Sequence, residues 1–332
     1  MKLIAISLLA SAALLTACGG NGNDNNGAVT PPGGGSTGGG STGGGNTGGG
    51  TATQLSMYEA LPLSSTASAS DFLAQINAEG SRGFRFFSGL AFASAGGGAE
   101  EVAAYVKDAN TTWTFEREAV TTTSSALLSQ LQASGARGFR FAGPYFASGA
   151  TFDLYRKDNG AATTYIYNVL PVAASSTDFL AQANAQGANG YYATGAAYMV
   201  GASTVTIYEK ASAGNARYAY EVLANSTTDA DLLAQLNAEG ARGYRFRTSF
   251  VFSDGTKNVY EKDTSQASSF VFSNRASQTN STAYIQQANA QGATGEALVG
   301  DYVLPSGTIS TLYVKPANCS GVLCVTRSPF GF

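Results

Sequence analysis

The 332-residue chain is 44% hydrophobic and 12% charged, with a formal net charge of −3. It has enough apolar residues for a sizeable core and no positive field that would recruit nucleic acid. It contains no histidine, which excludes Ser-His-Asp and Cys-His catalysis and most zinc sites, and nothing in the composition implies a cofactor.

Met1-Lys2 supplies one positive charge, and Leu3 to Leu15 is an apolar run of signal-peptide length, too short to span a bilayer comfortably. Leu15-Thr16-Ala17-Cys18 comes directly after it and resembles the lipobox of bacterial lipoproteins. The resemblance implies that residues 1–17 are removed as a signal peptide and that the Cys18 thiol carries a diacylglycerol. The alternative is an ordinary secretory signal with a chance cysteine. Each buried methylene contributes ~0.8 kcal/mol of membrane affinity, so a multiply acylated cysteine makes the membrane a partner without a spanning helix. Gly19 stands where some lipoproteins carry an aspartate that retains them at the inner membrane, so the resemblance favours the outer membrane. Residues 18–53 are otherwise almost pure Gly, Ser, Thr and Asn, which cannot form a core. A coil of this kind would hold the folded part of the chain some ~30 Å from its anchor.

From residue 54 one pattern recurs five times. Asp71-Phe72-Leu73-Ala74-Gln75-Ile76-Asn77-Ala78-Glu79-Gly80 is answered by Asp231-Leu232-Leu233-Ala234-Gln235-Leu236-Asn237-Ala238-Glu239-Gly240. The glycines at 80, 135, 187, 240 and 292 are separated by 55, 52, 53 and 52 positions. Apolar residues at i, i+1 and i+4 form one face of a short helix, preceded by Ser, Thr and Asn as N-caps. Gly80 and its equivalents are expected just past the last helical turn, as left-handed caps. A second set (Gly83, Gly138, Gly190, Gly243, Gly295) turns the chain into a strand. This Gly-x-x-Gly leads into a strand, unlike the nucleic-acid clamp of KH domains, which joins two helices. An aromatic residue lies fourteen positions before the first apolar residue of each helix (Tyr58, Trp113, Tyr165, Tyr218, Phe270), within alternating strand-like sequence. Phe84-Arg85-Phe86, Phe139-Arg140-Phe141 and Tyr244-Arg245-Phe246 begin a second strand. A third ends in Tyr-x-Lys, at Tyr105, Tyr155, Tyr208, Tyr260 and Tyr313.

The helix-to-strand junction and the Tyr-x-Lys ending together resemble a family of small bacterial domains without assigned chemistry. That resemblance covers about residues 54 to 316 and implies a fold but no activity. Tyr191-Tyr192 in the third copy and Glu296-Ala297 in the fifth depart from the arginine-bearing strand start, and the family's usual tryptophan is Phe or Tyr. The expected fold is α+β, five tandem β-α-β-β repeats with largely antiparallel three-stranded sheets, each with its helix. The repeats are 54–110, 111–160, 161–213, 214–264 and 265–316, with a tail over 317–332. A unit of this size buries too little surface to fold alone, so neighbours should pack together, as a rod or as a ring.

The helical glutamines read as solvent-facing or local hydrogen-bond partners, the recurring aromatics as core, and the Tyr-x-Lys lysines as strand ends in water. If Arg85, Arg140 and Arg245 are exposed beside rings such as Tyr244, they form a repeated platform for an envelope glycan or protein partner. The competing reading is a hydrolase using carboxylates among Glu100, Glu101, Glu116, Glu118, Glu209, Glu221 and Glu261, but these lie at different phases of the repeat with no metal-ligand or nucleophile pattern. The expectation is therefore a non-enzymatic binding protein, with a passive spacer as alternative. Cys319 and Cys324 should form a disulfide in an oxidising envelope, pinning the last strand as an end cap.

Overall fold

The computed structural model describes residues 55–63, 67–93, 98–147, 149–195 and 197–327. The expected signal peptide, the expected lipidation site Cys18 and the Gly-rich linker lie outside the described residues. Among those described, no helix is long and apolar enough to cross a membrane.

Five β-α-β-β units succeed one another. The first is β1 (Met57–Pro62), α1 (Ala69–Ser81), β2 (Arg85–Ala93) and β3 (Ala99–Lys107). The second is β4 (Trp113–Ala119), α2 (Ser124–Ala136), β5 (Phe139–Ala147) and β6 (Ala150–Asp158). The third is β7 (Tyr165–Pro171), α3 (Ser176–Ala188), a second strand in two pieces, β8 (Tyr192–Ala193) and β9 (Tyr198–Val200), and β10 (Ser203–Ala211). The fourth is β11 (Tyr218–Ala224), α4 (Asp229–Ala241), β12 (Arg245–Phe252) and β13 (Gly255–Asp263). The fifth is β14 (Ser269–Ala276), α5 (Ser281–Gly292), β15 (Ala297–Val303) and β16 (Ile309–Ala317).

In every unit the Tyr-x-Lys strand lies in the middle of the sheet and pairs antiparallel with both others. Its tyrosines (Tyr105, Tyr155, Tyr208, Tyr260, Tyr313) are fully buried. A bulge interrupts the second strand one residue past its buried start, between Phe86 and Ser88, Phe141 and Gly143, Phe246 and Thr248, and Leu298 and Gly300. Each helix begins at a side chain that accepts the N3 amide, namely Ser68, Thr123, Ser175, Thr228 and Asn280.

The left-handed cap belongs to the second glycine set, not to the first as the sequence reading expects. Gly80 lies inside α1, and the left-handed residue is Gly83 at φ 91°. Gly83 N–H and Phe84 N–H donate to the carbonyls of Gly80 and Glu79, closing the helix by a Schellman motif. Gly80 is needed for a different reason. A Cβ there would lie 2.3 Å from the Trp113 carbonyl oxygen on β4, and at Gly135, Gly187, Gly240 and Gly292 the corresponding distances to the next unit's backbone are 2.3, 2.0, 2.0 and 2.1 Å. The helix backbone thus touches the first strand of the following unit.

A side chain one turn earlier clamps the same strand. Asn77 Nδ2 donates to the Phe115 carbonyl (3.1 Å) and its Oδ1 accepts from the Phe115 amide (2.8 Å). Asn184 does the same at Tyr220, and Asn237 at Phe272, while Gln132 keeps the donor half at Tyr167. The sequence pattern showed these residues without indicating what they bind. The clamp also corrects a register: Tyr58 matches Phe115, Tyr167, Tyr220 and Phe272, whereas Trp113 matches Ser56, because the first unit has two more residues between strand and helix.

The fifth helix meets the first strand, so the array is a closed ring. Asn289 Oδ1 accepts from the Tyr58 amide (2.6 Å), its Nδ2 donates to the Tyr58 carbonyl (2.9 Å), and Ser56 N–H donates to the Gly292 carbonyl (3.3 Å). Tyr58, Phe87, Phe92 and Val106 of the first unit share one core with Tyr284, Ala288, Leu298 and Tyr313 of the fifth. Each helix therefore lies between its own sheet and the next. Phe72 shows this directly, meeting Phe86 of its own sheet edge-on at 5.3 Å and stacking on Tyr145 of the second unit at 4.1 Å. An array without ends needs no cap, so the tail has another role. The Cys319–Cys324 disulfide, with Cα atoms 5.6 Å apart, begins a segment that enters the middle of the ring.

Candidate functional site at the ring centre

The three strands of each unit bring one row of side chains to the centre. In the first four units the rows are Tyr58–Val106–Arg85, Phe115–Arg156–Arg140, Tyr167–Glu209–Tyr192 and Tyr220–Glu261–Arg245, and the fifth contributes Phe272–Val314–Ala297. The middle member is always the x of Tyr-x-Lys: Val106, Arg156, Glu209, Glu261 and Val314. The flanking Tyr and Lys are invariant through the repeats because they serve the sheet. The tyrosine fills its core, and Lys107, Lys210 and Lys262 donate to the carbonyls of Arg82, Asn189 and Arg242 at the helix ends. The helical glutamines are half-buried hydrogen-bond partners of their own unit, Gln182, Gln235 and Gln287 each donating to a carbonyl at the end of the first strand and accepting from the buried tyrosine hydroxyl.

Arg85, Arg140 and Arg245 do not form an exposed platform. Arg85 is 2% exposed and Arg245 3%, and the sequence could not show this because the strand-start position becomes interior only when the ring closes. Arg85 Nη2 bonds Asp108 Oδ2 (2.7 Å) and the Thr326 carbonyl (2.8 Å). Arg245 Nη1 donates to the carbonyls of Leu323 (2.6 Å) and Val325 (2.8 Å). Asp108 in turn accepts from the Thr326 amide (3.0 Å), and Tyr58 OH lies 2.9 Å from Thr326 Oγ1. These two arginines therefore grip the chain's own tail. Tyr244 sits apart, half-buried between Arg242 and Lys262, whose charges lie 5.2 and 5.5 Å from its ring centroid.

Glu209 and Glu261 share one phase of the repeat and face the same centre, contrary to the expectation of scattered carboxylates. Both are saturated with donors. Glu209 accepts from Arg140 Nε (2.7 Å), Tyr192 OH (2.7 Å) and Tyr167 OH (2.8 Å). Glu261 is paired with Arg247 (2.8 Å) and with Arg327 of the tail. Burial opposes the charge on Arg140, but Glu209 outweighs it and raises the guanidinium above its ordinary range. Burial lowers Arg245 to about 10. It lowers Arg156 to about 9, with Arg85 and Arg140 as the neighbouring charges that add to the effect.

Three other carboxylates named above serve structure. Glu100 accepts the Ser281 amide at the start of α5, while Glu116 and Glu221 pair with Arg137 and Arg242. Among the described residues no group of three His, Cys, Asp or Glu could hold a metal. A cavity of about 50 Å³ lies between the fourth and fifth units beside Arg247, Asp301 and Tyr302, and an open groove of about 720 Å³ runs along the seam between the fifth and first units at Met57, Lys107 and Asn289. Comparison with protein-family models, with curated proteins and with solved structures returns no match for this chain.

Proposed function

We propose that the chain is an envelope lipoprotein held in the outer membrane by acylated Cys18, and that its ring is a non-catalytic scaffold presenting a repeated surface to a glycan or protein partner of the envelope. One observation carries the binding reading. At the same second-strand position, four residues before the mid-strand tyrosine in the facing register, the units expose Ala91, Phe146, Met199, Val251 and Val303. The last four are 55%, 54%, 84% and 52% exposed. An apolar side chain repeated in register around a ring is a multivalent contact surface, whereas scattered single residues would need no explanation. The saturation of Glu209 and Glu261 argues against a carboxylate hydrolase, which needs one acid and one base free to exchange protons.

The test uses the full mature protein against envelope glycans and identified proteins from envelope extract. Replacing Phe146, Met199, Val251 and Val303 together by Ser should abolish retention while leaving the melting temperature within a few degrees. Retention that survives in this variant, or no retained glycan or protein at all, removes the reading in favour of a passive spacer. Mass spectrometry of the mature N-terminus tests the anchor independently, with acylated Cys18 as the expected first residue.

A further inference from the structure

We propose that Arg156, together with Arg140 and Arg85, forms a binding site at the ring centre for an oxyanion, that is, a phosphate, sulfate or carboxylate group. Equivalent positions of the repeat differ in charge. Where the third and fourth units place Glu209 and Glu261, the second places Arg156, in register directly opposite Arg140. Like charges facing each other across adjacent strands are destabilising. Arg140 turns to Glu209 of the next unit, whereas among the described residues Arg156 has no hydrogen bond or ion pair and is half-buried.

A second guanidinium points to the same place. The Arg85 carbon lies 5.7 Å from the Trp113 ring centroid, and Trp113 and Phe115 project from the same face of β4, in neighbouring rows. Arg85 therefore lies beside the row that holds Arg156. Its side chain is 3% exposed, and although Nη2 is fully engaged, Nη1 has no hydrogen-bond partner among the described residues. A buried charged donor without an acceptor is strongly unfavourable, and in a cluster of like charges an anion is the acceptor that also offsets the charge. The lowering of Arg156 by burial and by the charges of Arg85 and Arg140 describes the same deficit. Among the described residues, six guanidinium groups gather at the centre (Arg85, Arg140, Arg156, Arg245, Arg247, Arg327), and three carboxylates (Asp108, Glu209, Glu261) answer them. A planar fork that binds bidentately favours phosphate, sulfate and carboxylate over a spherical halide.

An oxyanion site at the centre is independent of the apolar rim, so either reading can fail alone. The full chain is titrated with inorganic phosphate, sulfate and acetate at constant ionic strength, with chloride as the reference, by calorimetry and by thermal melting. A phosphorylated or carboxylated oligosaccharide forms a parallel arm. Tight binding by free phosphate assigns the site to a small ion, and tight binding by the oligosaccharide alone assigns it to the terminal group of a larger ligand. Arg156→Gln should weaken oxyanion binding by about tenfold or more, the loss of one charge-assisted pair. Arg156→Glu should remove binding and raise the melting temperature without phosphate, since it gives Arg140 the carboxylate that the third and fourth units carry at this position. An equal phosphate response in wild type and both variants, or no response above that of chloride, overturns the proposal.

Discussion

Gly240 and Gly255 differ in why they are glycine, and the difference is measurable. In an ordinary helix Gly→Ala stabilises by about 1 kcal/mol. At Gly240 the added methyl would sit 2.0 Å from the Phe270 carbonyl, so Gly240→Ala should instead destabilise by roughly 3 kcal/mol, read from urea melts. Gly255 is left-handed at φ 102° with open space around its Cβ direction, and its alanine variant should lose only about 1 kcal/mol through backbone strain. Asp153 offers a pH test. Its carboxyl is buried, with Tyr198 OH donating to both oxygens at 2.8 and 3.0 Å, and burial raises its pKa to about 6. The folded state holds the proton to higher pH than the unfolded chain does, so stability present below pH ~4 is lost as pH rises through ~6, by up to about 3 kcal/mol. Asp153→Asn should flatten that slope in a pH series of denaturant melts, and an unchanged slope would show that the carboxyl is not responsible.

At the scale of elements, the unit of construction is the contact between one helix and the next unit's first strand. Leu73, Asn77 and Gly80 lie at i, i+4 and i+7 and so form one stripe. The asparagine satisfies a backbone amide and carbonyl that a free-standing strand would leave to water. Asn237→Ala should cost about 2 kcal/mol, because it leaves the Phe272 amide and carbonyl partly buried without partners. Asn237→Gln should recover part of this, since Gln132 keeps a 2.9 Å bond at the equivalent place. The helices and strands themselves were legible in the sequence. Period-3.6 apolar spacing, Ser/Thr/Asn caps and alternating aromatics are local signals, and local sterics and hydrogen bonding decide such elements. The role of Gly80 was not legible, because a cap glycine and a contact glycine have the same sequence signature.

For the whole molecule, closure changes what a deletion does. A rod would lose one unit and keep the rest. A ring that loses residues 265–316 exposes the core shared by Tyr58, Phe87 and Tyr284 and strips α4 of its outer sheet, so the remaining four units should show no cooperative melt. A circular permutant cut at 160/161, with the tail kept at its own strand, should fold. The tail adds to closure. Replacing both Cys319 and Cys324 by Ser releases a short loop whose closure contributes about 2 kcal/mol in the chain-entropy model, and a drop in melting temperature under reducing conditions that vanishes in the double variant would confirm the source. Buried pairs such as Arg85–Asp108 and Arg247–Glu261 are poorly screened, so salt should affect stability little, while Asp108→Ala should cost about 3–5 kcal/mol by leaving Arg85 uncompensated.

By itself the sequence determined the five β-α-β-β units, their N-caps, the antiparallel sheets and the disulfide, because each depends on residues close together in the chain or on a spacing that repeats. It also carries Leu15-Thr16-Ala17-Cys18, the local motif on which the proposed lipid anchor rests. Only the tertiary structure decided that the array closes, that the tail fills its middle, and that Arg85, Arg140 and Arg245 point inward to meet Asp108, Glu209 and the tail carbonyls. Those contacts join residues up to 241 positions apart. No period or motif encodes such a pairing, because it is set by how five sheets and five helices share their faces once the ring is complete.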